Sequence, residues 1–172
     1  MLRPPTESDV AALTATLAEP EVARWWGDRD RDWVRRELVA QRHGWVMVVD
    51  DAVAGWIQYS EEAEPDYRHV GLDVFLATAL QGRGYGREAL RLAIEHFVVQ
   101  GHHRFTIDPA ADNGRAIRAY TTVGFKPVGV MRRPVPHSRG KRLKEAKRRL
   151  DEELWSEMRA DPAPYRRASS SS

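Results

Sequence analysis

The chain has no cysteine among its 172 residues, which excludes disulfides, thiol nucleophiles and thiolate-held metal centres. It also lacks any apolar run long enough to span a bilayer as a helix. Its first residues, Met1-Leu2-Arg3-Pro4-Pro5, have no apolar stretch of the kind a secretory signal needs. A soluble, cytoplasmic protein is the expectation. No internal repeat is present, and the length suits one domain with a sizeable core. Six histidines (43, 69, 96, 102, 103 and 137) show no metal-ligand spacing. No metal is expected, and these histidines are read as surface residues.

Net charge is nearly absent as well, at +2, but it is unevenly spread. Residues 1–130 carry 15 Lys and Arg against 19 Asp and Glu, whereas residues 131–172 carry 12 against 6. A mildly acidic body is followed by a basic segment, and the two need separate electrostatic arguments.

The most informative feature present is Gln81-Gly82-Arg83-Gly84-Tyr85-Gly86. An apolar run from Val70 to Leu80 leads into it and a helical pattern from Arg87 to Val99 follows. Glycines between a strand and a helix let backbone N–H groups close around an anion at the helix N-terminus. Further along stand Asp108-Pro109, Asn113, Ala116, Tyr120, Gly124 and Phe125.

Periodicity predicts a helix over Glu7 to Leu17 and a helical region from Pro20 to Ala40 broken near Gly27. It predicts a hairpin of Trp45–Val49 and Val53–Tyr59 turning at Asp50-Asp51. A strand at Val70–Ala77, a strand at Arg104–Ile107, a short helix at Arg115–Val123 and a strand at Phe125–Met131 follow. Leu143, Leu150, Leu154 and Met158, set among dense charges, read as one amphipathic helix from Ser138 to Ala160. The Pro/Arg/Ser tail reads as disordered.

With these residues in register, residues 1–130 resemble the GCN5-related N-acetyltransferases, and among them the aminoglycoside 6′-N-acetyltransferases. Gln81, Gly84 and Gly86 match the acyl-CoA signature Gln-x-x-Gly-x-Gly. Asn113, Ala116, Tyr120, Gly124 and Phe125 match a second signature, and Gly71-Leu72-Asp73, Ile107-Asp108-Pro109 and Trp25-Trp26-Gly27 match narrower ones. The resemblance implies an α/β fold: a mixed, mostly antiparallel twisted sheet of about six strands flanked by helices, here with an atypical C-terminal helix. It divides the chain into an acetyltransferase domain (1–131), a basic amphipathic helical extension (132–160) and a disordered tail (161–172). After Met131 no alternating apolar run completes the sheet, so the family's final strand reads as missing, replaced by the helix, or supplied by a neighbouring chain.

The resemblance also implies site roles. Acetyl-CoA would be the co-substrate, its pyrophosphate cradled by backbone amides of Gln81, Gly82, Arg83, Gly84, Tyr85, Gly86 and Arg87, with Arg83 or Arg87 on the 3′-phosphate. Phe75 and Leu76 would lie along the pantetheine arm, where an N–H would face a developing oxyanion. Asn113 and Ala116 belong to the same cofactor site. Tyr120, a phenol protonated at neutral pH, would protonate the departing thiolate. Asp73 would bind the acceptor ammonium and relay its proton; burying a strand aspartate without a partner is costly, which favours a pocket position. Asp108 would be a second anchor for a cationic ring, Gln58 would hydrogen-bond substrate, and Trp25 and Trp26 would wall the sugar. Glu61, Glu62, Glu64 and Asp66 would form an acidic rim that concentrates polycations.

The implied activity is acetyl transfer to a primary amine, foremost the 6′-amine of an aminoglycoside antibiotic, by a monomer or homodimer. Another amine, such as a siderophore lysine side chain or a protein N-terminus, is the alternative within the same chemistry. A nucleic-acid or ribosome-binding role for Arg132–Arg149 is disfavoured, because Glu145 and Asp151–Glu153 balance the charge and no aromatics interleave it.

Overall fold

In a computed structural model, residues 1–62, 64, 68–134 and 152–160 are described. The strands are β1 (Leu2–Arg3), β2 (Gly44–Val49), β3 (Ala52–Glu62), β4 (His69–Leu76), β5 (Phe105–Ile107), β6 (Phe125–Pro134) and β7 (Glu152–Ala160). A 3₁₀ turn at Glu7–Asp9 opens helix α1 (Val10–Leu17), and α2 spans Pro20–Trp26. Helix α3 (Arg31–Trp33) runs on into π-helical turns over Val34–Ala40, and α4 (Tyr85–Val99) and α5 (Gly114–Val123) complete the set.

The seven strands form one sheet in the order β1-β2-β3-β4-β5-β7-β6. Every neighbouring pair is antiparallel except β4 and β5, which run parallel through Val70–Phe105, Gly71–Thr106 and Leu72–Ile107. Asp50 and Asp51 take positive φ (48° and 61°) at the β2–β3 hairpin, the left-handed geometry that a tight two-residue turn imposes and that aspartate tolerates.

The alternation of each strand sends side chains to two layers. On one face Ile57, Val70, Leu72, Phe105, Ile107, Phe125 and Met158 pack against Leu90, Ile94 and Phe97 of α4 and against Tyr120 and Val123 of α5. On the other, Val46, Trp56 and Phe75 pack against Val10, Leu13 and Leu17 of α1, Val22 of α2, and Val34 and Leu38 of the π-helical turns. That second layer is pinned to β1 by Asp9. Its buried carboxylate takes a bidentate pair from Arg3 (2.8 and 2.6 Å) and accepts from the Thr6 N–H (2.7 Å) and hydroxyl (2.9 Å). The Arg3 hydrogen bonds and those of Thr6 outweigh burial and hold the Asp9 carboxyl down at about 2.

The C-terminal reading is corrected here. Where a helix over Ser138–Ala160 was expected, Glu152–Ala160 is a strand, inserted between β5 and β6. The final strand is therefore neither missing nor borrowed from another chain, the strand count rises from about six to seven, and β6 extends past Met131 to Pro134. Met158 and Ala160 are buried in the sheet's first core. Residues 135–151 and 161–172, which carry the rest of the expected helix and the expected disordered tail, lie outside the described residues.

Candidate active site

The parallel ladder between β4 and β5 ends at Leu72 and Ile107, while β4 stays paired with β3 as far as Gly55–Leu76. The two strands thus splay, and β4 borders an open notch from Asp73 to Leu76. Within β4 the Val70 N–H bonds the Arg104 carbonyl beside β5, and just beyond the strand the Ala77 N–H bonds Ala54 of β3. Even-numbered residues therefore point their amides toward the notch, which puts the Val74 and Leu76 N–H groups there. Asp73 Oδ1 accepts the Val74 N–H at 3.0 Å, and the Leu76 carbonyl accepts Gln81 Nε2 at 2.7 Å.

A cleft of about 760 Å³ opens around this notch. It is lined by Trp25, Trp26, Gln58, Asp73, Phe75, Leu76, Gln81, Gly82, Arg83, Gly84, Gly86, Arg87, Asp108, Asn113, Ala116 and Tyr120, so of the expected positions only Tyr85 and the acidic rim are not among its lining. Tyr85 begins α4 and its ring packs against the first core instead. Gln58 and Asp73 are register partners on β3 and β4, two pairs along from Trp56–Phe75 on the same face of the sheet and beyond the cover of the second helical layer. Asp73 is consequently exposed and lines the cleft, in keeping with the cost of burying a lone strand carboxylate. The helical layer stops short of it and leaves it on the cleft floor.

The splay also lets groups from both layers meet. Tyr120 belongs to the first layer, yet the Asp73 charge reaches it through the gap. Burial first, and then the Asp73 carboxylate, push the Tyr120 phenol above its ordinary value. The phenol therefore keeps its proton throughout the physiological range.

The cofactor end is built from backbone. Gly84, at φ 91°, is the left-handed N-cap of α4 and has no side-chain cap bond, so a side chain there would be strained and the first-turn N–H groups stay available for an anion. Gly86 is different. It needs no positive φ, and a Cβ built on it would meet nothing within 4 Å. Its missing side chain keeps open the space above the loop, and the buried Oε1 of Gln81, which lines the same cleft, has no hydrogen-bond partner among the described residues. These features fit the diphosphate and pantetheine of a coenzyme A thioester. Asn113 Oδ1 caps α5 through the Ala116 N–H at 3.1 Å, which ties both of those residues to the geometry of the α5 entry.

The acceptor side also contains residues that sequence patterns did not single out: Glu21, Arg24, Arg29, Trp33 and Arg115. Two pairs, Arg24–Asp112 at 3.6 Å and Arg115–Glu21 at 3.7 Å, join α2 to the start of α5. The spacing of the Trp25-Trp26 string carried part of this signal; the ion pairs had none, because each joins positions distant in sequence. Trp26 meets Phe75 edge-on, with ring centroids 4.9 Å apart. The expected acidic rim does not form as a unit. Glu61 turns to the opposite face and pairs with His102 at 2.8 Å, Asp66 lies outside the described residues, and neither Glu62 nor Glu64 lines the cleft. His102 is buried, which corrects its reading as a surface residue.

The acetyltransferase (GNAT) domain family matches residues 1–126. The chain belongs to that family, and it is an acetyl-CoA-dependent N-acetyltransferase. An aminoglycoside N(6′)-acetyltransferase type 1 of Klebsiella pneumoniae is 27% identical over 156 residues, 77% of each chain. A mycothiol acetyltransferase of Corynebacterium efficiens is 32% identical over 111 residues, 58% of this chain and 36% of that one. Among solved structures, the aminoglycoside acetyltransferase AAC(6′)-Ib in complex with coenzyme A and kanamycin superposes with a TM-score of 0.73 at 24% identity, covering 99% of both chains. No helix among the described residues is long and apolar enough to cross a membrane.

Proposed function

We propose that the acceptor is the 6′-amine of an aminoglycoside antibiotic, and that Asp73 and Tyr120 are the catalytic pair. The observation that carries the reading is that both line one cleft beside the glycine cradle, an exposed carboxylate and a buried phenol whose pKa is raised by burial and by that carboxylate. The resemblance to aminoglycoside 6′-acetyltransferases along most of the chain supports the choice of acceptor.

When bound, acetyl-CoA supplies the acetyl group as an activated thioester. The backbone from Gln81 through Arg87 would hold its diphosphate, with Arg83 or Arg87 on the 3′-phosphate. Phe75 and Leu76 would lie along its pantetheine arm, where an N–H of β4 would stabilise the developing oxyanion. Asp73 draws in the ammonium form of the acceptor, since a carboxylate favours the cation, and passes its proton to water so that a neutral amine attacks. Gln58 and Asp108 hold the ring, between walls made by Trp25 and Trp26. Tyr120 gives its proton to the leaving sulfur. Acetylation removes a positive charge from the drug and so weakens contacts with ribosomal RNA phosphates, a resistance chemistry.

Kanamycin or tobramycin titrated with acetyl-CoA should release coenzyme A, and Asp73→Asn should lower kcat/KM by roughly 10- to 100-fold. Unchanged turnover in that variant would remove Asp73 from the mechanism, and absence of coenzyme A release with either drug would remove the aminoglycoside.

A further inference from the structure

The charges lining the acceptor side are not those of a site built for cations alone. Glu21, Asp73 and Asp108 are matched there by Arg24, Arg29 and Arg115. Arg24 and Arg115 are engaged with Asp112 and Glu21. Arg29 is not: among the described residues it has no carboxylate within ion-pair distance, and its buried Nε has no hydrogen-bond partner. Its guanidinium carbon lies 4.5 Å from the centroid of the Trp33 ring. Trp33 is fixed in turn, since its backbone N–H donates to Asp30 Oδ1 at 2.7 Å, capping α3, and its ring packs on the second core. Stacking on an indole orders the planar fork before any ligand arrives, and that fork matches a carboxylate better than any other side chain does. Holding such a cation partly desolvated on the wall of a cleft is unfavourable unless an anion completes it.

We propose that Arg29, stacked on Trp33, is an anion subsite of the acceptor cleft, and that the enzyme also acetylates primary amines bearing a carboxylate. The ammonium end sits at Asp73 and the carboxylate end at Arg29. The inference rests on acetyl transfer taking place in this cleft, and it is independent of whether an aminoglycoside is accepted. The chemistry balances as before. The ammonium first gives one proton to water through Asp73. The neutral nitrogen then forms its bond to the acetyl carbon as the carbon–sulfur bond breaks. Nitrogen sheds a second proton to solvent, and sulfur gains one from Tyr120, which solvent restores.

The test measures coenzyme A release with a series of ω-amino acids of increasing chain length and with their matched amides, alongside kanamycin, for the full chain and for Arg29→Met and Arg29→Lys. Methionine keeps apolar cover over Trp33 without charge or donors; lysine keeps the charge without the fork. The parent should prefer the best acid over its amide by about tenfold or more in kcat/KM. Arg29→Met should erase that preference and Arg29→Lys retain part of it. Kanamycin turnover should rise severalfold in Arg29→Met, because a like charge is gone from the wall. The proposal is overturned if the parent shows no acid preference or acetylates no ω-amino acid. It is equally overturned if Arg29→Met slows acids and amides alike, the signature of a packing role, or weakens coenzyme A binding by calorimetry as much as it slows the acids. Failure of kanamycin alone would remove only the aminoglycoside reading.

Discussion

The two halves of the cleft are made of different materials. The cofactor half is backbone: a left-handed glycine, an open helix N-terminus, a strand whose amides face a notch. The acceptor half is side chain: Arg24, Trp25 and Trp26 on α2, Arg29 in the loop that follows, Trp33 on α3 and Arg115 on α5. Backbone geometry depends on a few glycines at fixed spacing, whereas a side-chain wall can be rebuilt residue by residue without disturbing the sheet.

The largest expected effect lies where the halves meet. Tyr120→Phe should lower kcat about 100-fold or more with little change in KM, measured as steady-state coenzyme A release. Because burial and Asp73 both raise its pKa, the parent enzyme should show no falling alkaline limb attributable to Tyr120 near its ordinary value. Such a limb would mean that the phenol is not under the influence of Asp73.

Next comes the frame of the acceptor half. Asp9 has its carboxyl lowered to about 2 by Arg3 and Thr6. A depressed carboxyl adds stability above its unfolded pKa and loses it as pH falls through the folded one. The pair is worth on the order of 2 kcal/mol at neutral pH, lost between roughly pH 4 and pH 2. Asp9→Asn should lose that amount in urea unfolding at pH 7 and show a flatter acid dependence. An unchanged acid limb would assign the lability elsewhere.

The smallest effect separates folding from binding within the cofactor half. Gly86→Ala should leave stability unchanged or raise it by up to about 1 kcal/mol, since alanine favours a helix and its Cβ meets no protein atom. The same methyl should reduce coenzyme A affinity roughly tenfold by calorimetry, a shift of about 1.4 kcal/mol. Loss of stability together with affinity would show that the glycine serves the fold.

The sequence made the cofactor half legible because its signals are local: Gln81, Gly84 and Gly86 lie within one turn, and Asn113 and Tyr120 on one short helix. The acceptor half was only partly legible. Trp25 and Trp26 were visible as a string, but Arg29 acquires meaning only once Trp33 lies beneath it, and Glu21 only once Arg115 faces it. The last strand was misread for a different reason. Leu150, Leu154 and Met158 recur every four residues, and positions four apart share a face in a strand as well as in a helix. Dense charges around them tipped the balance to the wrong period. His102 and Glu61, far apart in sequence, likewise gave no sign that they would pair or that the His102 ring would be buried.

The place of β7 has a bearing on how the protein is made. It slots between β5 and β6, and among the described residues β6 has no other partner in the sheet. A nascent chain still waiting for residues 152–160 to leave the ribosome therefore has its glycine loop synthesised but its sheet split, with Phe105 and Phe125 lacking the strand that joins them. The keystone is synthesised after both strands it joins, and a stop codon shortly before Glu152 would yield an adhesive, divided sheet instead of a slower enzyme.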